Sequence, residues 1–184
     1  MDIKIGSAPD SWGVWFPSDP RQTPWNRFMD EIAEAGYTWT ELGPLGYLPT
    51  DPATLQAELD KRGLKVSGSF VMAHFEDADA WPETEKQALG MGELLASVGS
   101  QYVVLIDDVY TNLFTGEPLR PPTLTDTQWQ TFVETVHRLA ALAKREFGLT
   151  AVYHPHAETH VEYEHQIERL LRDTDPSLIY LCLD

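Results

Sequence analysis

Several short apolar runs in this chain end in a side chain that can bind a metal or move a proton. Tyr37-Thr38-Trp39-Thr40 leads into Glu41, and Tyr102-Val103-Val104-Leu105-Ile106 into Asp107 and Asp108. Ala151-Val152-Tyr153 leads into His154-Pro155-His156, and the run from Leu178 to Leu183 into Asp184. If these runs are parallel strands, all of those groups gather at one end of a sheet, the end at which α/β barrels carry their chemistry. His154 and His156 flank a stiffening proline, and alternation along an extended segment points both the same way. Two imidazoles so placed can serve one metal, or a metal and a substrate. The plainer role for either is a hydrogen-bonded packing histidine. Glu162 follows near the expected start of a helix. There a carboxylate complements the helix dipole, and beside the histidines it can also ligate a metal or shuttle a proton. Asp184 ends an otherwise apolar run and needs a partner, be it a cation, an arginine or helix amides. Glu41 is suited to holding a polyol hydroxyl. Asp107 is suited to the same task, although paired acids before a loop often serve only as caps. His74, in Met72-Ala73-His74-Phe75, is a further candidate contact, whereas His137 falls mid-helix among apolar residues and reads as structural.

Glycines and prolines punctuate the elements that must position these groups. Thr23-Pro24 predicts an N-cap and first turn of a helix that runs to about Ala35, with Gly36 as its C-terminal stop. Asp51-Pro52 repeats the device, with Gly63 after about Arg62. A third helix is expected from near Pro82 to just before Gly99. Thr125 and Gln128 have capping-box spacing at the head of a fourth, which Gly148 closes. A fifth is expected from about Val161 to Arg172. Strands are expected at Ile3–Ile5, Tyr37–Thr40, Leu64–Phe70, Tyr102–Ile106, Leu149–Tyr153 and from Leu178 onward. Six strands alternating with five helices predict an α/β protein with a parallel sheet. The choice is between an open doubly wound sheet and a (β/α)8 TIM-type barrel. No Gly-x-Gly-x-x-Gly follows the first strand, and Gly90-Met91-Gly92 lies inside a helical stretch, so the dinucleotide-binding version loses ground. A full barrel needs eight units, so the barrel expected here is incomplete, a single domain over residues 1–184. Three long loops lie at its expected active end. They carry Trp12, Trp15 and Phe16, then Tyr47, then Tyr110 and Phe114, aromatics that could wall a small-molecule pocket.

The chain has 184 residues, 29 acidic against 13 basic, and a formal net charge of −16. Such a balance repels polyanions and argues against a nucleic-acid partner. Basic residues are few, which also argues against a strongly phosphorylated substrate. The single cysteine, Cys182, excludes an internal disulfide and suits a cytoplasmic location; it reads as a small buried hydrophobe. No run approaches the roughly 20 apolar residues of a membrane helix, and no signal-peptide pattern precedes the first strand.

The stretches Gly6-Ser7-Ala8-Pro9-Asp10-Ser11-Trp12-Gly13 and Glu41-Leu42-Gly43-Pro44-Leu45-Gly46-Tyr47-Leu48-Pro49, with His154-Pro155-His156, Glu162 and Asp184, resemble the xylose-isomerase-like barrel superfamily. Within it the likeness is nearest the myo-inosose-2 dehydratase type. The resemblance implies a divalent metal at the barrel mouth, manganese or cobalt, with zinc or magnesium as substitutes. Its expected ligands are Asp184 with Glu162 or His154, and a histidine and a glutamate from strands seven and eight, which this chain does not supply. It also implies a lyase acting on a keto-polyol such as 2-keto-myo-inositol. His156, Glu162 or His154 would take the proton beside the ketone, the metal would stabilise the resulting enediolate, and a hydroxyl would leave as water. Trp12, Glu41, His74 and Asp107 would hold the substrate. A ketose epimerase or isomerase shares the proton abstraction, and a non-catalytic sugar-binding fragment is the reading outside enzymes. A homo-oligomer is compatible with the sequence.

Overall fold

A computed structural model describes residues 3–183 of the chain. Seven short strands alternate with five α-helices. The strands are β1 (Gly6–Ser7), β2 (Trp39–Glu41), β3 (Lys65–Gly68), β4 (Phe70–Ala73), β5 (Tyr102–Asp107), β6 (Thr150–Tyr153) and β7 (Ile179–Leu181). The helices are α1 (Trp25–Glu34), α2 (Pro52–Asp60), α3 (Trp81–Ser97), α4 (Asp126–Phe147) and α5 (Glu164–Asp173). All pairings are parallel, in the orders β1-β2-β3 and β4-β5-β6-β7. The two groups are one curved surface interrupted at Ser69. The Ser69 carbonyl accepts from Val104 N at 2.8 Å and its hydroxyl donates to Gly43 O at 2.7 Å. The segment expected as one strand over Leu64–Phe70 therefore serves two neighbours in turn, pairing with β2 before Ser69 and with β5 after it, and it runs on to Ala73. This is a partial barrel of the expected α/β type.

Local chemistry explains most helix boundaries. The Asp51 carboxylate accepts from Thr54 N at 2.8 Å, with Pro52 in the first turn of α2. Thr125 and Gln128 close both halves of the capping box on α4, and Gly148 ends that helix at φ 70°. Three expectations shift. Pro24, not Thr23, stands at the cap of α1, because the Thr23 hydroxyl donates to Trp12 O instead. The first strand is Gly6–Ser7 rather than Ile3–Ile5, whose isoleucines are exposed. The fifth helix starts at Glu164, after Val161 has been fully buried as an anchor.

Helices cover one face of the sheet only. Val71, Val103, Leu105, Ala151 and Tyr153 point into a core with Phe28, Leu55, Met91, Leu95, Phe132 and Leu139. Trp129 and Phe132 stack at 5.2 Å, and Phe132 meets Phe75 edge-on at 5.8 Å. Gly92 faces the Phe147 ring so closely that a Cβ would stand 2.3 Å from it, which accounts for a glycine inside α3. The other face carries Tyr102 and Tyr180, both about half exposed. It forms a groove of about 580 Å³ lined by Glu41, Ser67, Tyr102, Val104, Thr150 and Val152 among others.

Candidate functional site

The strand ends deliver the expected polar groups to one rim, but alternation sends them to different sides of the sheet. On β5, Tyr102 and Val104 line the groove whereas Val103 and Leu105 enter the core, so Asp107 belongs to the helix-covered side. Its carboxylate is fully buried. One oxygen accepts from His160 N at 3.1 Å and His160 Nδ1 at 2.7 Å, and the other lies 3.4 Å from Phe75 N. Asp107 thus orders the surrounding segments, and its oxygens are directed at protein donors.

His154 and His156 follow β6 and are brought together, their rings 5.6 Å apart and nearly perpendicular. Both are half-buried. His154 N donates to Leu105 O at 3.0 Å, and its Nδ1 lies 3.4 Å from Cys182 O. His156 Nδ1 bonds Ala157 O at 2.8 Å. Asp10, in the short helical turn Pro9–Trp12, stands within electrostatic reach of both rings. Burial raises its carboxyl pKa, while its own backbone and the charges of His156 and His154 pull it down. Asp10 lay within the Gly6–Gly13 stretch, yet nothing in its spacing to position 154 marks the approach.

Glu162 precedes α5 rather than opening it. Its carboxylate accepts from Glu158 N at 3.1 Å, and Glu158 holds a left-handed backbone at φ 60°. Glu158 also accepts from Tyr110 N through its carbonyl and from the Thr111 hydroxyl through its side chain. The Thr159 hydroxyl donates to His156 O at 2.8 Å. The segment bearing His156 and Glu162 is therefore fastened to the long loop after β5. Strained non-glycine backbone of this kind concentrates near functional sites.

The remaining candidates scatter. Glu41 lies on the groove side at the end of β2. His74 stands 3.7 Å from Asp108 and 3.6 Å from Glu76, just past β4. Trp12 packs edge-on against Phe28 and donates its indole N–H to Glu31 on α1 at 2.7 Å, so it is bound to the helix layer. Asp184 lies outside the described residues. Cys182 is half-buried and lines the groove, less enclosed than its apolar run predicts.

Among the described residues, the group whose donor atoms converge as a metal site would require is not the expected one. Glu76, Asp107 and His160 are all buried, and one ligand atom of each lies within 4.8 Å of the others. The sequence spacing marks neither Glu76 nor His160 as a candidate ligand.

Parallel strand–helix units with their polar groups gathered at the carboxyl ends of the strands define an α/β-barrel protein of the kind that builds enzyme sites on its loops. The chain belongs to the xylose isomerase-like TIM barrel family, whose profile it matches over residues 29–184. It is 32% identical over 189 residues to the inosose dehydratase of Geobacillus kaustophilus, an alignment covering 99% of this chain and 60% of that relative. It thus spans well under two thirds of that relative's length. The fold is also that of the IOLI protein solved with a zinc atom, with a TM-score of 0.73 and 14% identity over 97% of this chain and 62% of the other. D-allulose 3-epimerase from Methylomonas sp. is equally similar in fold, with a TM-score of 0.73 and 16% identity over 99% and 63% of the two chains. No helix among the described residues is long and apolar enough to cross a membrane.

Proposed function

We propose that this chain carries the site of a metal-dependent dehydratase acting on a keto-polyol such as 2-keto-myo-inositol. The observation that carries the reading is the pairing of His154 and His156 at the barrel mouth, with Asp10 beside them and Glu162 on the same fastened segment. The likeness to inosose dehydratases along nearly the whole chain supports it. Two imidazoles and nearby carboxylates form a donor set suited to manganese, cobalt or zinc. His154 and Glu162, with Asp184, would hold the cation. When bound, it supplies Lewis-acid polarisation of the ketone.

The protein's own groups account for the rest. His156 is the base for the proton on the carbon beside the ketone, since its Nδ1 is engaged by Ala157 O and its Nε2 is the nitrogen left to face a ligand. Asp10, whose carboxyl pKa burial raises, is placed to return a proton to the departing hydroxyl. Glu41 orients ring hydroxyls from the groove side, and His74 bounds the rim.

Incubation of the purified chain with 2-keto-myo-inositol, with manganese or with chelator, separates the readings by product mass. Loss of one water that depends on manganese and disappears in His156→Ala supports the dehydratase. An unchanged mass with altered stereochemistry replaces it with an epimerase, the reading favoured by the fold shared with D-allulose 3-epimerase. Saturable polyol binding without turnover replaces both with a sugar-binding role.

A further inference from the structure

Glu76, Asp107 and His160 come together beyond the strand ends, with Asp107 on the helix-covered side of the sheet. Glu76 comes from the turn after β4, Asp107 from the last position of β5, and His160 from the segment between β6 and α5. The side chains are 3%, 0% and 2% exposed. The His160 ring lies 3.1 Å from Pro121 O through Nε2. A carbonyl only accepts, so Nε2 carries a hydrogen and Nδ1 faces Asp107. The ring is oriented as metal-binding histidines are, by one N–H on a backbone carbonyl, and its Nδ1, 2.7 Å from Asp107, becomes a ligand nitrogen once its proton leaves. Glu76 Oε2 is buried without a hydrogen-bond partner, and so is His74 Nδ1, which stands 3.6 Å from Glu76 Oε1. A ligand beside the carboxylate–imidazole pair would satisfy both of these atoms.

We propose that Glu76, Asp107 and His160 form a structural divalent-cation site, distinct from the His154–His156 pair, that ties together the turn after β4, the end of β5 and the segment after β6. One imidazole nitrogen with two carboxylate oxygens favours zinc or manganese over magnesium or calcium. Three donors at ~2.1 Å from one ion stand about 3.4 Å apart in a tetrahedral array. The donor atoms already lie within 4.8 Å of one another, with His160 Nδ1 and Asp107 at 2.7 Å, so small side-chain shifts bring them to that spacing. Charge balances in both states. Without the cation, a proton bridges His160 to Asp107, and Arg120 lies 3.2 Å from Glu76. With the cation, the Nδ1 proton leaves to solvent, and the partly exposed Arg120 turns wholly to Asp77, already 3.4 Å away.

The test is calorimetric titration of the chelator-stripped chain with Zn²⁺ alone, in buffers of different ionisation heat. One tight equivalent beyond any at the mouth, with about one proton released, is expected. Glu76→Gln should weaken it at least ~tenfold. Arg120→Gln, which removes the competing guanidinium at a partly exposed position, should tighten it severalfold. Paired His154→Ala and Glu162→Gln changes at the mouth should leave it intact. Absence of that equivalent overturns the proposal. So does its survival in Glu76→Gln or its loss with the mouth changes. If Glu76→Gln does not fold, an affinity that Arg120→Gln leaves the same or lowers also overturns it. Failure of the dehydratase assay bears on none of these readouts.

Discussion

Asp107→Asn should be among the most damaging single-atom exchanges in this protein. The wild-type carboxylate serves three donors, with two of them, His160 N and Nδ1, on one oxygen. An asparagine oxygen can keep only one side of that arrangement, and its amide must then face a donor. At least one buried donor is orphaned, at about 1–3 kcal/mol, and His160 loses its counter-charge. Breaking a buried pair by removing one partner costs about 3–5 kcal/mol, a large share of the roughly 5–15 kcal/mol typical of a domain. Urea unfolding at pH 6 with chelator present should show a midpoint lowered by about 1–3 M at ordinary denaturant sensitivities. The pH dependence gives a second signature. Burial disfavours the His160 proton, but the hydrogen bond and charge of Asp107, with Pro121 O and Glu76, outweigh it and raise the ring pKa above 6.5. A raised folded value means that the stabilisation is complete below about pH 6.5 and is lost as pH rises through the folded pKa. That decline should be present in the wild type and flattened in Asp107→Asn. Asp108→Asn, half exposed and bonded to Val109 N, is the control. If Asp107→Asn costs less than about 1 kcal/mol at pH 6, or leaves the decline unchanged, the buried pair is not what holds these loops.

Two simpler expectations follow from packing and capping. Phe132→Ala empties the centre of the Phe75, Trp129 and Tyr153 cluster and should lower unfolding free energy by about 3–5 kcal/mol in urea. Thr125→Ala removes the oxygen that caps Gln128 N on α4; it should cost about 0.5–2 kcal/mol with the unfolding cooperativity unchanged.

The sequence by itself determined the alternation of strand and helix, because glycine and proline chemistry acts within a few residues. The Asp51 and Thr125 caps and the Gly148 stop are local facts, and each is where its residues place it. The apolar runs of β5 and β6 were equally legible, since strands covered by helices must be rich in branched and aromatic residues. What escaped was which way a side chain faces and what lies across the sheet. Ser69 divides an apparently single strand because its carbonyl serves Val104 on one side and its hydroxyl Gly43 on the other. The run ending in Asp107 announced a carboxylate at a strand end, but only the register of β5 turns it away from the groove and onto His160, 53 residues later. Asp10 reaches the mouth pair, and Glu76 reaches Asp107, only when the sheet curves. Tertiary structure alone decided these meetings, because long-range neighbours are set by the packing of whole strands and helices and leave no trace in the spacing of the residues that meet.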